Sequence, residues 1–355
     1  MPMDDLGILY KRVESRLVAY IRFNLKERTD IRKMLQELAQ AIPAGDVDGT
    51  PYVHIQYFSS YTEGYEAEVG FPVRQPVESG RVKSKLLPAL EVLAITHRGS
   101  PETLRETKLK LHQFTSQHAL ISDEFTREVY LDWGDPQGPV DVQFVIHNWN
   151  KIFARNLERV IGRDRSATVM KGVEALDLES APKERFAWAK AAMQRLEDLA
   201  DEHQKYDVIS SCAHVYPPGQ LDKLKVVYDE AHSQSDDPLE AVDAVSAFMA
   251  NDPGWNEKEH YRNGRVLYHT KNPADPQGYA DAQTDNEKRA AYCFCPVIRA
   301  NLDKGMPLTY CYCGAGWYRQ QWETATGKPV RVEVLQSVLK GDLVCQFAVY
   351  LPEDL

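Results

Sequence analysis

The chain has 355 residues, 43% of them hydrophobic and 26% charged, and a formal net charge of -10. That length exceeds one comfortable core and predicts two domains. The acidic balance argues against a general nucleic-acid binder, which needs surplus Lys and Arg to displace counterions. No apolar run approaches the roughly 20 residues that span a bilayer, and the N-terminal MPMDDLGILYKRVESR lacks the basic-then-apolar order of a secretion signal. Six cysteines, four of them clustered, do not make a disulfide framework in a chain this long. The expected location is the reducing cytoplasm, with no membrane contact.

Strand-like sequence begins almost at once, so no helix-turn-helix pattern is found. RLVAYIR (16–22) alternates as a strand, and TDIRKMLQELAQAI carries Ile31, Leu35, Leu38 and Ile42 at helical spacing. PYVHIQYF and YEAEVGFPV then read as two more strands. The same order returns: EVLAITH (91–97) as a strand, SPETLRETKLKLHQF as a helix with Ser100 at its N-cap and Pro101 in its first turn, then REVYLDW and VDVQFVIH. The offset stays near 75 residues, with Leu17 mapping near Val92, Val53 near Val129 and Glu68 onto Gln143. Residues 1–150 are therefore expected to be one domain made of a tandem repeat, near 9–75 and 88–148. Two such units side by side form a sheet with helices on one face and a concave surface on the other, where a ligand would sit. On a period-2 strand Glu66, Glu68 and Gly70 share one face. Glu68 and Gln143, with Tyr52, His54, Tyr57, Tyr130 and Trp133 around them, are the candidate ligand-binding residues. That set suits a flat, aromatic or hydrophobic and even cationic ligand. Glu68 as a plain solvated strand carboxylate is the competing reading.

RVESRLVAYIR, EAEVGFPV, ALEVLAITHRGSPETL, REVYLDW and VDVQFVIH resemble, in that order, the GyrI-like small-molecule-binding domain, which also serves as the effector-binding module of AraC- and MerR-type regulators. The resemblance covers about residues 5–150 and implies two strand–helix–strand–strand units around a central pocket with Glu68 as the pocket glutamate. Gln143 stands where a second carboxylate is common and His147 where proline is common, which lowers the pocket's negative charge. The function implied is a stand-alone sensor or sequestering protein for a small molecule, without direct nucleic-acid contact. Two alternatives stay open: a hydrolase of an electrophilic small molecule with Glu68 as general base, and an adaptor that binds a protein partner such as gyrase.

Residues 148–180 change in character and read as a linker broken by Gly162 and Gly172. An α/β domain is expected over 165–355, giving an α+β protein overall. PKERFAWAKAAMQRLEDLADEH is a long helix, and QLDKLKVVYDEAHSQ and PLEAVDAVSAFMAND are further ones. GWYRQQWETATG reads as a helix ending at Gly327. KPVRVEVLQSVL and LVCQFAVYLP, joined by the turn KGD, read as a hairpin with Leu343, Cys345, Phe347, Val349 and Leu351 on its apolar face. Residues 285–352 resemble a poorly characterised bacterial group related to 4-vinyl-reductase-like and amino-thiazoline-carboxylate-hydrolase-like domains, which implies a fold enclosing a small ligand.

AAYCFCPVIRANLDKGMPLTYCYCGAGWY holds two Cys-x-Cys pairs, Cys293/Cys295 and Cys311/Cys313. On strands each pair would put its thiols on one face, roughly 6.5–7 Å apart, and two neighbouring strands would bring all four together. Zinc held by four thiolates, a redox pair and inert pocket walls are all open readings, although the usual zinc turn is Cys-x-x-Cys. His203, His214, His260 and His269 show no ligand spacing, and no nucleophile elbow, P-loop or Gly-x-Gly-x-x-Gly occurs.

Overall fold

The computed structural model describes residues 7–43, 45–56, 65–118, 120, 122–177, 180–214, 216, 219–251, 255 and 257–355. They fall into two compact units, the first ending at His147 and the second built from Asn148 onward. The expected α+β organisation is present, with antiparallel sheets in both units.

The first unit contains β1 (Leu9–Val13), β2 (Arg16–Leu25), α1 (Arg28–Ala41), β3 (Tyr52–Gln56), β4 (Tyr65–Pro72), β5 (Lys83–Leu87), β6 (Leu90–His97), α2 (Leu104–Gln117), β7 (Ser122–Tyr130) and β8 (Val140–Ile146). Its eight strands form one curled sheet in the order β1-β6-β8-β7-β3-β4-β2-β5. The two halves repeat one arrangement about the antiparallel β7–β3 pair, with β1 flanking β6 on one side and β5 flanking β2 on the other. α1 starts where the Asp30 carboxylate accepts from the Glu27 amide at 3.0 Å, so an otherwise orphan donor at the helix start is satisfied. Its Ile31, Leu35 and Leu38 pack on Ala19, Ile21, Val53, Ala67, Val69 and Phe71 of the sheet. Since side chains alternate along a strand, this defines a helix-bearing face and an inner face.

The helix-bearing face holds a buried charge. Glu128 of β7 is fully buried and lies 2.5 Å from Arg28 Nη2 at the start of α1 and 2.9 Å from Lys108 Nζ of α2. The Tyr130 hydroxyl donates to the same carboxylate at 2.9 Å. One carboxylate thus ties a helix of each half to the seam strand. Burial acts to raise the Glu128 carboxyl, but Lys108 and Arg28 outweigh it and hold it down at about 2.

The second unit carries α3 (Trp149–Ile161), α4 (Arg163–Met170), α5 (Pro182–Leu199), α6 (Glu202–Ser210), α7 (Gln220–His232), α8 (Pro238–Asn251), β9 (Glu257–Asn263), β10 (Val266–Lys271), α9 (Pro276–Asp281), α10 (Asp285–Tyr292), α11 (Pro296–Arg299), α12 (Tyr312–Thr326), β11 (Arg331–Gln336) and β12 (Gln346–Tyr350). The strands form a sheet in the order β11-β12-β10-β9. Much of the expected linker is helical. Asn148 caps α3 by accepting from the Lys151 amide at 3.2 Å, and Trp149, Phe153, Leu157 and Ile161 give it a buried stripe at i,i+4 spacing. The second unit therefore begins at Asn148 rather than near 165.

The two Cys-x-Cys pairs are not on strands. Cys293 caps the end of α10, Cys295 precedes α11, Cys311 ends a short 3-10 turn and Cys313 lies in the first turn of α12. The capped helix start at Thr284 and Pro296 in the first turn of α11 outweigh the β-like aromatic spacers there. The expected hairpin is present, with Arg331 opposite Tyr350, but its strands are joined through Ser337–Cys345 rather than a tight turn. Phe347, Val349 and Leu351 are buried, while Leu343 is exposed and Cys345 precedes the strand. α12 ends as read, with Gly327 in the left-handed region at φ 69°.

The CGAG segment is a helix-packing device. A Cβ on Gly316 would stand 1.8 Å from the Ser210 carbonyl oxygen at the end of α6, and one on Gly314 would stand 2.8 Å from the Phe347 ring. Gly316→Ala is expected to destabilise the protein by about 2–3 kcal/mol through overpacking, against the usual gain from alanine in a helix; a melting temperature equal to or above wild type would refute this. In the first unit Glu128→Gln is expected to cost about 3 kcal/mol near neutral pH, since it leaves two half-buried cations without their carboxylate. Because the folded carboxyl lies below its unfolded value of 4.5, its contribution is present above pH 4.5 and is lost as pH falls toward about 2. Chemical denaturation across that range should show an acid limb that is shallower in the variant.

Candidate ligand-binding site

The inner face of the first unit carries a row of polar side chains straight across the sheet. Register pairs Arg22 with Glu68, Glu68 with His54, His54 with Arg127, Arg127 with Gln143 and Gln143 with Ala94. Glu68, His54, Arg127 and Gln143 are all buried.

Gly70 makes the Glu68 end of the row. It pairs with Tyr52 across β3 and β4, and a Cβ there would lie 2.4 Å from the Tyr52 ring. Without a side chain at Gly70 the ring lies over β4, and its hydroxyl reaches back to donate to Glu68 Oε1 at 3.1 Å. Glu68 Oε2 accepts from Lys85 Nζ at 2.5 Å and Arg22 Nε at 3.2 Å. Burial and the Glu68 charge push the Tyr52 hydroxyl well above the ordinary phenol range. Burial also pulls the Lys85 ammonium down, against the pull of Glu68. His54 lies beside the carboxylate, Nδ1 3.8 Å from Oε1. Burial first, then Arg127 and Lys85, hold its imidazole well below the usual histidine value, so it is neutral at physiological pH.

The Gln143 end is wired differently. Lys11 Nζ donates to Asp141 at 2.9 and 3.0 Å, Gln143 Nε2 donates to Asp141 Oδ2 at 2.7 Å, and Arg127 Nη1 donates to Gln143 Oε1 at 3.3 Å. The amide is thereby oriented with its oxygen toward the guanidinium. Arg127 lies over the Tyr52 ring, 5.0 Å from its centroid, next to an apolar floor of Val18, Tyr52, Leu87 and Val129.

Glu68, Gln143, Tyr52 and His54 are thus brought together on one face. Tyr130 and Trp133 are not: Tyr130 shares the helix-bearing face with Glu128, and Trp133 packs edge-on against Phe71 with ring centroids 5.5 Å apart. Tyr57 lies outside the described residues. The cause is the repeat offset. An offset carried from Val53 to Val129 lines His54 up with Tyr130, whereas the pairing puts Arg127 opposite Gln143 as His54 is opposite Glu68. That odd-numbered slip turns every side chain of the strand to the other face. Arg127, Lys85, Arg22, Asp141 and Lys11 were missed for the same reason, since none carries a motif and only the pairing brings them to the row.

In the second unit Cys212, Cys293, Cys295, Cys313 and Cys345 share one apolar core, and all six cysteines are free. The Cys295 thiol reaches the Tyr310 hydroxyl at 3.5 Å, Cys311 Sγ lies 3.2 Å from Ser337 Oγ, and Cys313 donates to the Cys212 carbonyl at 3.5 Å. Burial raises every one of these thiols, Cys212 and Cys311 to about 12. Among the described residues no group of three or more His, Cys, Asp or Glu side chains is arranged to hold a metal ion. His269 is buried and its Nε2 accepts from Trp322 Nε1 at 2.9 Å. Among the described residues no helix is long and apolar enough to cross a membrane.

Residues 10–146 match the GyrI-like small molecule binding domain, and residues 268–354 match a family of unknown function, DUF6144. A resemblance of the latter region to 4-vinyl-reductase-like domains is not shown. No curated protein matches the chain. Solved structures with a similar first unit include EcmrR in a DNA complex (20% identity, TM-score 0.35, 39% of this chain and 56% of that one). Others are a Listeria innocua hydrolase encoded by lin2189 (14%, 0.31, 39% and 91%) and SAV2435 bound to tetraphenylphosphonium (12%, 0.31, 41% and 96%). The chain therefore spans little more than half the length of the first of these. Residues 10–146 are a GyrI-like small-molecule-binding domain, followed by a region whose family has no known function.

Proposed function

We propose that the protein binds a small aromatic or hydrophobic molecule on the inner face of the first unit and acts in the cytoplasm as a sensor or sequestering protein. The observation that carries this reading is the polar row that runs from exposed Arg22 through buried Glu68, His54 and Arg127 to Gln143, beside the apolar floor of Val18, Tyr52, Leu87 and Val129. A few placed polar groups over apolar surface are what a small-molecule site needs. The net charge of -10 supports a role without direct nucleic-acid contact. Hydrolysis with Glu68 as base is less well supported, because both its oxygens already accept hydrogen bonds from Lys85, Arg22 and Tyr52. The thiols of the second unit serve on this reading as packing and wall residues, in keeping with their burial in an apolar core, which raises them.

Native mass spectrometry of the full chain purified from its own host should show a retained small molecule. Glu68→Gln, checked by circular dichroism to be folded, should lose it, while the surface control Glu37→Gln keeps it. Retention unchanged in a folded Glu68→Gln variant would place the site elsewhere. For the cysteines, elemental analysis should find less than about a tenth of a zinc or iron per chain, with EDTA leaving the melting temperature unmoved. Stoichiometric zinc would reverse that assignment.

A further inference from the structure

We propose that the ligand of the inner face carries an anionic oxygen group, a carboxylate or its equivalent on an aromatic body, and that Arg127 is its counter-ion. The proposal rests on the small-molecule reading above and specifies the charge of what binds.

Arg127 is 7% exposed, yet among the described residues no carboxylate lies within ion-pair distance of it. One of its five N–H donors is used, from Nη1 to the neutral amide oxygen of Gln143 at 3.3 Å. Its Nε is buried without a hydrogen-bond partner. The acid that acts on it most, Asp141, is taken up by Lys11 and by the Gln143 amide. A buried guanidinium in that condition costs stability, and the cost is recovered when an oxyanion takes up the free edge of the planar fork. Removing charge from the other end of Gln143 does not help, because the amide is held with its oxygen toward Arg127 by its bond to Asp141.

Glu68 offers no competing site for a cation. Lys85, Arg22 and Tyr52 occupy both of its oxygens, and His54 stands between it and Arg127 in the row. Among the described side chains in contact along the row, Lys11, Arg22, Lys85 and Arg127 stand with two carboxylates, Glu68 and Asp141. An incoming ammonium would face the guanidinium, and among the described side chains of the row both carboxylates are already taken up. The Tyr52 ring under Arg127, continuous with Val18, Leu87 and Val129, supplies the apolar and aromatic surface for the ligand's body.

The test uses one ring system in three charge states: 2-naphthoate, neutral 2-naphthamide and 2-naphthylmethylammonium, titrated against the full chain by ligand-detected NMR and calorimetry at low ionic strength near neutral pH. The expected order is naphthoate first, by about tenfold or more over the ammonium. Arg127→Met should abolish that preference, and Arg127→Lys, which keeps the charge and loses the fork, should retain part of it. Arg127→Met should melt no lower than wild type, because it removes a buried cation that has no carboxylate partner. An ammonium that binds as tightly as the naphthoate, or a naphthoate affinity unchanged in Arg127→Met, would overturn the anion assignment while leaving the small-molecule reading in place. A clear fall in the melting temperature of Arg127→Met would also overturn it, by showing the guanidinium to be structural. Failure of all three probes to bind the wild type would overturn both readings.

Discussion

The first unit depends on the antiparallel pairing of β3 with β7. That ladder joins two halves of like topology into one sheet and sets His54 against Arg127 at its centre. Because strand side chains alternate, the same pairing turns Glu128 to the opposite face, under Arg28 and Lys108. One seam therefore decides what each face presents. A register shift of a single residue would send the buried charges to the wrong sides.

The two faces treat a buried carboxylate alike and an arginine differently. Glu128 and Glu68 each have two cations and a tyrosine hydroxyl in contact, which is the condition under which a charge can stay buried. Arg28 is matched by Glu128, while Arg127 has only an amide oxygen and an aromatic ring. The neutrality of Gln143 matters here. A carboxylate at 143 would have supplied Arg127 with a counter-ion from the protein itself. The amide leaves that place to something else.

In the second unit, packing explains features that sequence motifs left ambiguous. Gly314 and Gly316 let α12 approach Phe347 and the end of α6, so the short glycine run serves helix packing. The cysteines around it sit in an apolar core and keep their protons, held there by burial. Lys271 Nζ lies 5.5–5.8 Å from the rings of Phe294, Trp317, Tyr318 and Phe347, an arrangement that solvates an ammonium with aromatic faces instead of a carboxylate.

Periodicity alone was enough for the elements that bury one clear stripe. The α1 positions Ile31, Leu35 and Leu38, the α12 helix closed by Gly327 and the β12 strand follow from local spacing and capping, which act within a few residues. Glu68, Tyr52 and His54 were legible for the same reason, since Gly70 and the alternation of one strand are local facts. Local chemistry also misled where two signals competed, as in the aromatic Cys-x-Cys runs, the first of which lies between α10 and α11 and the second in the turn that opens α12. The partnership of Glu68 with Arg22 and Lys85, the place of Arg127 opposite His54 and the removal of Tyr130 to the other face could not be read from the sequence. They depend on which strands pair and in what register, a long-range choice that moves a side chain across the sheet for every odd-residue slip. The sequence by itself determined the elements that bury one clear stripe, together with Glu68, Tyr52 and His54 of the site; only the tertiary pairing decided the charge that surrounds them.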